Sequence, residues 1–135
     1  GIRAVLQAAI STTDADFVVK LIDVWPDNTE YPGYQMLVRG DIMRGRYRRS
    51  FSAPEPFTPG EPTEVAFTMP DIAHTFRKGH RIMVQVQSSW FPLADRNPQQ
   101  FVDIYRCAAS DFIPCDVRIY HDRRRPSRLE VLRLR

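Results

Sequence analysis

The sequence predicts an all-β fold of about eight short strands, packed as a β-sandwich or a barrel. It contains 11 prolines against 6 glycines, and Val, Ile, Phe and Tyr are frequent. Such a composition is typical of short strands joined by rigid turns. Several segments alternate apolar and polar residues, the period of a half-buried strand. They recur at a spacing of roughly 8 to 15 residues, which favours two packed sheets over an arrangement of long helices.

Length and charge limit the classes of function. The 135 residues, 43% hydrophobic and 26% charged, suit one soluble globular domain spanning residues 1–135. The net charge of +3 comes from 19 basic and 16 acidic residues that are interspersed, so no nucleic-acid partner is expected. No apolar run is long enough to span a bilayer and the first residues lack a signal-peptide pattern, so no membrane partner is expected either.

The first half of the chain predicts four strands. Residues 3–10 alternate cleanly, and because this pattern begins without any lead-in, the chain looks like a fragment of a longer one. Residues 17–24 are apolar on both faces except at Lys20 and Asp23, which predicts a strand in the middle of a sheet. Residues 34–38 and 63–69 alternate again, the latter with Val65, Phe67 and Met69 inward.

Two connecting segments have different characters. Residues 40–49 fit either a strand or a short helix, and Gly45 favours a strand or irregular chain. Residues 50–62 carry five Pro or Gly residues and predict an extended surface connection. Residues 70–76 predict a bend that anchors Ile72 and Phe76 in the core.

Residues 81–87 form the strand around which the second half is organised. Ile82, Val84 and Val86 share one face, which we expect to be buried with a set of core residues: Val19, Leu21, Phe67 and Phe76. Pro92 ends regular pairing just after Trp90 and Phe91. Further strands are predicted at residues 101–105, 116–120 and 129–134.

Candidate catalytic and metal-binding groups are few. His74 and His80 lack a third ligand, so structural roles are favoured over a metal site. The neighbours His121 and Asp122 would point to opposite faces of a strand and do not fit a nucleophilic triad. No nucleophile-elbow, P-loop, dinucleotide-binding or zinc-protease motif is present. We therefore predict no catalytic residue, cofactor or metal in this chain.

Two other features remain open at this level. Cys107 and Cys115 are eight positions apart across a loop, a spacing that a disulfide or two free thiols fit equally well. The basic cluster at residues 123–125 with Arg128 favours a solvated turn, because it lacks the interleaved aromatics on which bases stack.

Several motifs together resemble one enzyme family. They are TDADF at 13–17 leading to LIDVWPD at 21–27, FRKGHR at 76–81, and SSWFP at 88–92 with DRN at 95–97. The ending YHD at 120–122, followed by Pro126 and Ser127, fits as well. The set resembles the C-terminal domain of the X-Pro dipeptidyl-peptidase, cocaine esterase and α-amino acid ester hydrolase (CocE/NonD) family over nearly the whole chain. Residues 123–125 depart from it, since smaller or acidic residues are expected there.

The resemblance implies a jelly-roll β-sandwich, similar to galactose-binding-like modules, that carries no catalytic residue. Its partner would be the α/β-hydrolase domain of the same parent, a serine hydrolase of the dipeptidyl-peptidase, esterase or acylase type; a homo-oligomer is a further expectation. In the family this domain packs on the hydrolase domain and helps shape the substrate cleft, and the substrate is an ester or amide. Because relatives are often exported, the resemblance favours a periplasmic or secreted location and a Cys107–Cys115 disulfide.

The residues expected to organise the aromatic loop or contact the partner domain are Asp14, Asp16, Ser88, Ser89, Trp90, Phe91, Asp95, Arg96 and Asn97. Within this set we expect Arg96 to bridge Asp95 or Asp14 and to hold the loop through its planar fork. A free-standing carbohydrate-binding module is the alternative, with Trp25, Tyr31, Trp90 and Phe91 as its platform. A stand-alone hydrolase is disfavoured because neither Ser88 nor Ser89 has a neighbouring base in the sequence.

Overall fold

The computed structural model describes residues 1–133, and these contain seven strands and two 3₁₀ turns. The strands are β1 (Ile2–Ile10), β2 (Asp16–Val24), β3 (Gln35–Arg44), β4 (Thr63–Met69), β5 (Arg81–Gln87), β6 (Val117–Tyr120) and β7 (Arg128–Val131). The 3₁₀ turns are Gly45–Tyr47 and Ala109–Asp111. The predicted all-β class is confirmed.

Two antiparallel sheets form the predicted sandwich. In the first sheet β1 lies in the centre, with β4 on one side and β6 and β7 on the other. In the second sheet β2 lies between β3 and β5, as its two apolar faces predict. β3 lies beside β4, so this pair of edges closes one side of the sandwich.

β6 and β7 behave as one edge strand interrupted by a loop. β6 pairs with residues 7–10 of β1, and β7 pairs with residues 2–5. The loop between them, residues 121–126, is closed by a hydrogen bond from the Ser127 amide to the Tyr120 carbonyl (3.2 Å). His121 and Asp122 lie in this loop and not on a strand.

β3 combines the strand predicted at residues 34–38 with the first part of the ambiguous segment 40–49. The strand runs through Gly40, with a register shift opposite Leu21 and Ile22, and ends at Arg44. The 3₁₀ turn Gly45–Tyr47 follows, which resolves the ambiguity of residues 40–49. Residues 50–62 contain no strand or helix, as their prolines predict.

The core consists mainly of apolar residues from β1, β2 and β4, and the predicted burial of Val19, Leu21 and Phe67 is confirmed. The strand at β5 is confirmed as well, but the burial of its apolar face is not. Ile82, Val84 and Val86 are 65%, 47% and 37% exposed. The reason is that β5 is the edge of a three-stranded sheet, where the facing sheet does not cover it.

Two smaller predictions also differ from the structure. Ile72 is exposed, and Phe76 is only half-buried, packed against the core edge-on to the His74 ring at 4.8 Å. Residues 101–105 form turns instead of a strand, because the Asp103 carboxylate accepts the Tyr105 amide (3.0 Å) and fixes a local bend. The predicted strand at 129–134 ends at Val131; Leu134 lies outside the described residues. No helical segment among residues 1–133 is long and apolar enough to cross a membrane.

Phe17 provides a direct test of the core. Its side chain is buried and packs against the Phe57 ring at 6.0 Å between centroids. We expect Phe17→Ala to lower the free energy of unfolding by about 3 to 5 kcal/mol, measured by urea denaturation. The matched change Phe51→Ala removes an exposed ring and should cost less than about 0.5 kcal/mol. Equal effects would place the core elsewhere.

Candidate functional site

A buried polar cluster lies at the start of β2. Asp14 and Asp16 are both buried, and they share one donor, because the Asn97 side-chain amide lies 2.9 Å from an oxygen of each. Asn97 comes from the irregular chain after β5 and is itself buried. This amide therefore ties the loop to the start of the central strand.

Two arginines neutralise the carboxylates. Arg46 Nε lies 2.7 Å from Asp14 Oδ2, and Arg44 Nε lies 3.3 Å from Asp16 Oδ1. Both guanidinium groups also hold the loop through its backbone: Arg46 donates to the Val102 carbonyl (2.8 Å) and Arg44 to the Asp95 carbonyl (2.9 Å). Two negative and two positive charges thus balance in a site with little access to solvent.

Opposing effects act on the Asp16 carboxylate. Burial raises the pKa of Asp16, and the nearby charge of Asp14 adds to the rise. The Asn97 hydrogen bond and the Arg44 charge act in the opposite direction without cancelling it. Asp16 therefore depends on its donors to stay ionised.

Close packing explains a glycine in this cluster. The Gly45 amide donates to the Ala15 carbonyl (2.8 Å). A Cβ atom at Gly45 would lie 2.5 Å from that oxygen and 2.6 Å from the Phe57 ring. No larger residue fits without moving the backbone that carries Arg44 and Arg46.

The loop's first aromatic residue lies on the outward face of the second sheet. Trp90 packs over Gly40, where an added Cβ would lie only 2.8 Å from the indole. The Lys20 ammonium lies 4.5 Å from the centre of the same ring. Trp90 is therefore a structural anchor for the loop.

The next residues of the loop are exposed. Phe91 is 64% and Leu93 71% exposed. The Arg96 guanidinium lies 5.9 Å from the Phe91 ring and 5.2 Å from the ring of the partly exposed Phe112. We call Phe91, Leu93 and Phe112 the loop patch.

Residues 1–130 match the family described as the X-Pro dipeptidyl-peptidase C-terminal non-catalytic domain. The chain belongs to this family. The relatives include cocaine esterase of Rhodococcus sp. (strain MB1 Bresler), which is 43% identical over 96 residues, 71% of this chain and 16% of that protein.

Solved structures of hydrolases contain the same domain. An aminopeptidase from the marine sediment archaeon Thaumarchaeota archaeon superposes with a TM-score of 0.91 at 44% identity. An α-amino acid ester hydrolase labelled with selenomethionine superposes with a TM-score of 0.91 at 45% identity. Each comparison covers 95% of this chain but 22% of the other chain. The present domain thus spans about a fifth of the length of these hydrolases.

In this X-Pro dipeptidyl-peptidase C-terminal domain, the structure brings together Asp14, Asp16 and Asn97 but assigns the bridging role to other arginines. Arg96 is exposed and lies against aromatic rings, so its predicted pairing with Asp14 or Asp95 is wrong. Arg46 forms the ion pair with Asp14, and Arg44 donates a hydrogen bond to the Asp95 carbonyl. Both reach the cluster because β3 and the 3₁₀ turn end beside the start of β2. The arginine-rich run at 44–49 was the signal in the sequence.

The two serines of the loop and the two cysteines are placed as follows in the structure. Ser88 and Ser89 are exposed, and Ser89 Oγ accepts the Phe91 amide (3.3 Å). Cys107 and Cys115 are free thiols: Cys107 lies 3.0 Å from the Ile104 carbonyl, and Cys115 lies 3.1 Å from Thr12 Oγ1. The disulfide that the resemblance favoured is therefore absent from the structure.

His74 and His80 converge on one carboxylate. Asp23 is buried, with Oδ2 2.9 Å from His74 Nε2 and Oδ1 2.8 Å from His80 Nδ1. Burial alone would raise the pKa of Asp23, but the hydrogen bonds and charges of His80 and His74 lower it below 3.8. No group of three or more His, Cys, Asp or Glu side chains within residues 1–133 could hold a metal ion.

The aromatic residues of the alternative sugar platform have different neighbours. Trp25 packs edge-on to Tyr31 and Tyr34, at 66° and 90° between ring planes. Trp90 instead lies against Gly40 and Lys20. The edge-on packing of Trp25 with Tyr31 does not form a flat stacking face.

Asn97 tests whether the cluster holds the loop. Asn97→Ala removes the donor common to two buried carboxylates, and we expect it to lower the free energy of unfolding by about 3 kcal/mol. The control Asn28→Ala, in an exposed turn, should cost less than about 0.5 kcal/mol. A small loss of stability in Asn97→Ala would mean that Arg44 and Arg46 hold the loop without Asn97.

Asp23 provides a test by pH. Because the folded pKa of Asp23 is lower than its unfolded value, its contribution to stability is complete well above the unfolded pKa and is lost as the pH falls through the folded pKa. The difference in unfolding free energy between the wild type and Asp23→Asn should therefore narrow between about pH 5 and about pH 3. A difference that stays constant over this range would contradict the assignment.

Proposed function

We propose that this domain packs on the α/β-hydrolase domain of its parent serine hydrolase and helps to shape the substrate cleft, without supplying a catalytic residue. The observation that carries the proposal is the loop patch. Its large apolar side chains are exposed to solvent on irregular chain, Phe91 and Leu93 after β5 and Phe112 after the 3₁₀ turn Ala109–Asp111, a feature typical of interaction surfaces.

The loop patch is held in place before any partner is present. Asn97 and the Asp95 carbonyl connect the loop to the buried charges, and Trp90 connects it to the sheet. A preformed patch loses little conformational entropy on docking, so more of the contact energy is available for binding. Such rigidity suits a wall of a substrate cleft, where a displacement of about 1 Å reduces the rate.

The comparisons support a hydrolase as the parent. The relatives are named as an esterase, an aminopeptidase and an ester hydrolase, and each contains this domain in about a fifth of its length or less. We propose that the parent acts on an ester or amide and that the α/β-hydrolase domain carries the Ser-Asp-His triad. The sequence and structure contain no observation that favours the carbohydrate-binding alternative.

The test is a double substitution in the full-length parent, Phe91→Ser with Leu93→Ser. We expect KM for a bulky ester or amide substrate to rise by up to roughly thirtyfold, because two apolar anchors at about 1 kcal/mol each, about 2 kcal/mol together, are lost from the interface that shapes the cleft. The triad should still react with a fluorophosphonate, and limited proteolysis should cut more readily between the domains.

Arg106→Ala serves as the control. The Arg106 side chain is exposed, and its ion pair with Asp103 is long, at 3.8 Å, and open to solvent. An unchanged KM and an unchanged proteolysis pattern in the double variant would contradict the proposal. Loss of fluorophosphonate labelling with the fold intact would assign the loop a catalytic role instead.

A further inference from the structure

β5 is a strand with a free edge. It pairs with β2 along one side, and no strand within residues 1–133 pairs with its other side. In an antiparallel pair, alternate residues direct their N–H and C=O groups away from the partner. β5 therefore presents a row of backbone groups able to accept another strand.

The apolar side chains of β5 lie on the face of the sheet that points towards the core. Val86 pairs with Val19, Val84 with Leu21 and Ile82 with Asp23, so the three apolar residues share the inward face of the sheet. Val19 and Leu21 are buried there, but exposure on β5 rises from Val86 through Val84 to Ile82. The sandwich is thus open along β5, and most open where the strand begins.

The other sheet adds an apolar wall to this opening. β3 lies beside β4 at one side of the sandwich, which leaves β5 and β7 at the opposite side. Val131 of β7 pairs with the inward-facing Ile2 and is 57% exposed. Leu129 pairs with Ala4 and packs only partly against the core. Inward-facing apolar residues of both sheets thus meet solvent at the same side.

We propose that this open side holds an additional β-strand, supplied by the part of the parent polypeptide outside residues 1–135. The strand pairs with the free edge of β5 and places apolar side chains at alternate positions over Ile82, Val84 and Val86. This inference rests on the proposed role as a domain of a larger hydrolase, but it concerns a surface other than the loop patch.

Two observations favour this occupant. The domain covers 22% of each solved relative, so a long covalently linked polypeptide is available at high effective concentration. The start of β5 is also basic: Arg77 and Lys78 of the preceding turn and Arg81 of the strand are exposed, and none forms an ion pair within the described range. An acidic residue at the adjacent end of the added strand would complement these charges.

Hydrogen exchange in the full-length wild-type parent tests the strand, with residue resolution from electron-transfer fragmentation of the peptide that covers residues 81–87. We expect the amides directed away from β2 to exchange about a hundredfold more slowly than unstructured amides, like the amides directed towards β2. Alternation between slow and unprotected amides along β5 would overturn the proposal.

A substitution in the same parent tests the apolar face. Ile82→Lys should lower the melting temperature by about 3 °C or more if the face is covered. The control Thr68→Lys, at an exposed strand position on β4, should shift it by less than about 1 °C. Equal shifts in melting temperature for the two variants would show that the apolar face of β5 is not covered, which would overturn the proposal.

The same experiments distinguish other occupants of the open side at β5. A lowered melting temperature with unprotected outward amides would mean that a helix or loop covers the face, which overturns the strand. Protection that disappears on dilution, together with a dimeric mass, would mean a second copy of the protein and overturns the intramolecular origin. The loop-patch variants remain an independent test of docking, so failure at β5 leaves the proposed function intact.

Discussion

The buried contact between Asn97 and the carboxylates of Asp14 and Asp16 holds the loop after β5 against the start of β2. Three distant segments meet there: the start of β2, the end of β3 with its 3₁₀ turn, and the loop after β5. Each charged group in the cluster has a partner, which a buried charge requires. The loop has no ladder of backbone hydrogen bonds, so its shape depends on these side chains.

The strands were predictable because their signal is local. Alternation in β1, β4 and β5 follows from the geometry of a single strand, and the apolar β2 indicated a central position. Burial of β5 was not predictable, because a period of two gives the orientation of a face but does not indicate whether another sheet covers it. The same limit applies to Phe76, whose neighbours depend on the width of the facing sheet.

The candidate site was predicted in its residue types but not in its pairings. Asp14, Asp16 and Asn97 were singled out, whereas the bridging arginine was expected within the loop, at Arg96, and is found at Arg44 and Arg46. Spatial proximity in a sandwich is set by strand register, which brings position 46 to position 14. The motif resemblance located the family, and the structure supplied the register.

Two apolar surfaces, the loop patch and the open side at β5, give this domain the character of a part of a larger protein. The proposed role of the domain depends on contact between the loop patch and the hydrolase domain. A photo-crosslinking residue at position 93 of the full-length parent tests it most directly, with the exposed position 123 as reference. If the loop patch contacts the hydrolase domain, position 93 forms crosslinks to peptides of the α/β-hydrolase domain that mass spectrometry detects. If position 93 gives no more of these crosslinks than position 123, the loop patch does not make this contact.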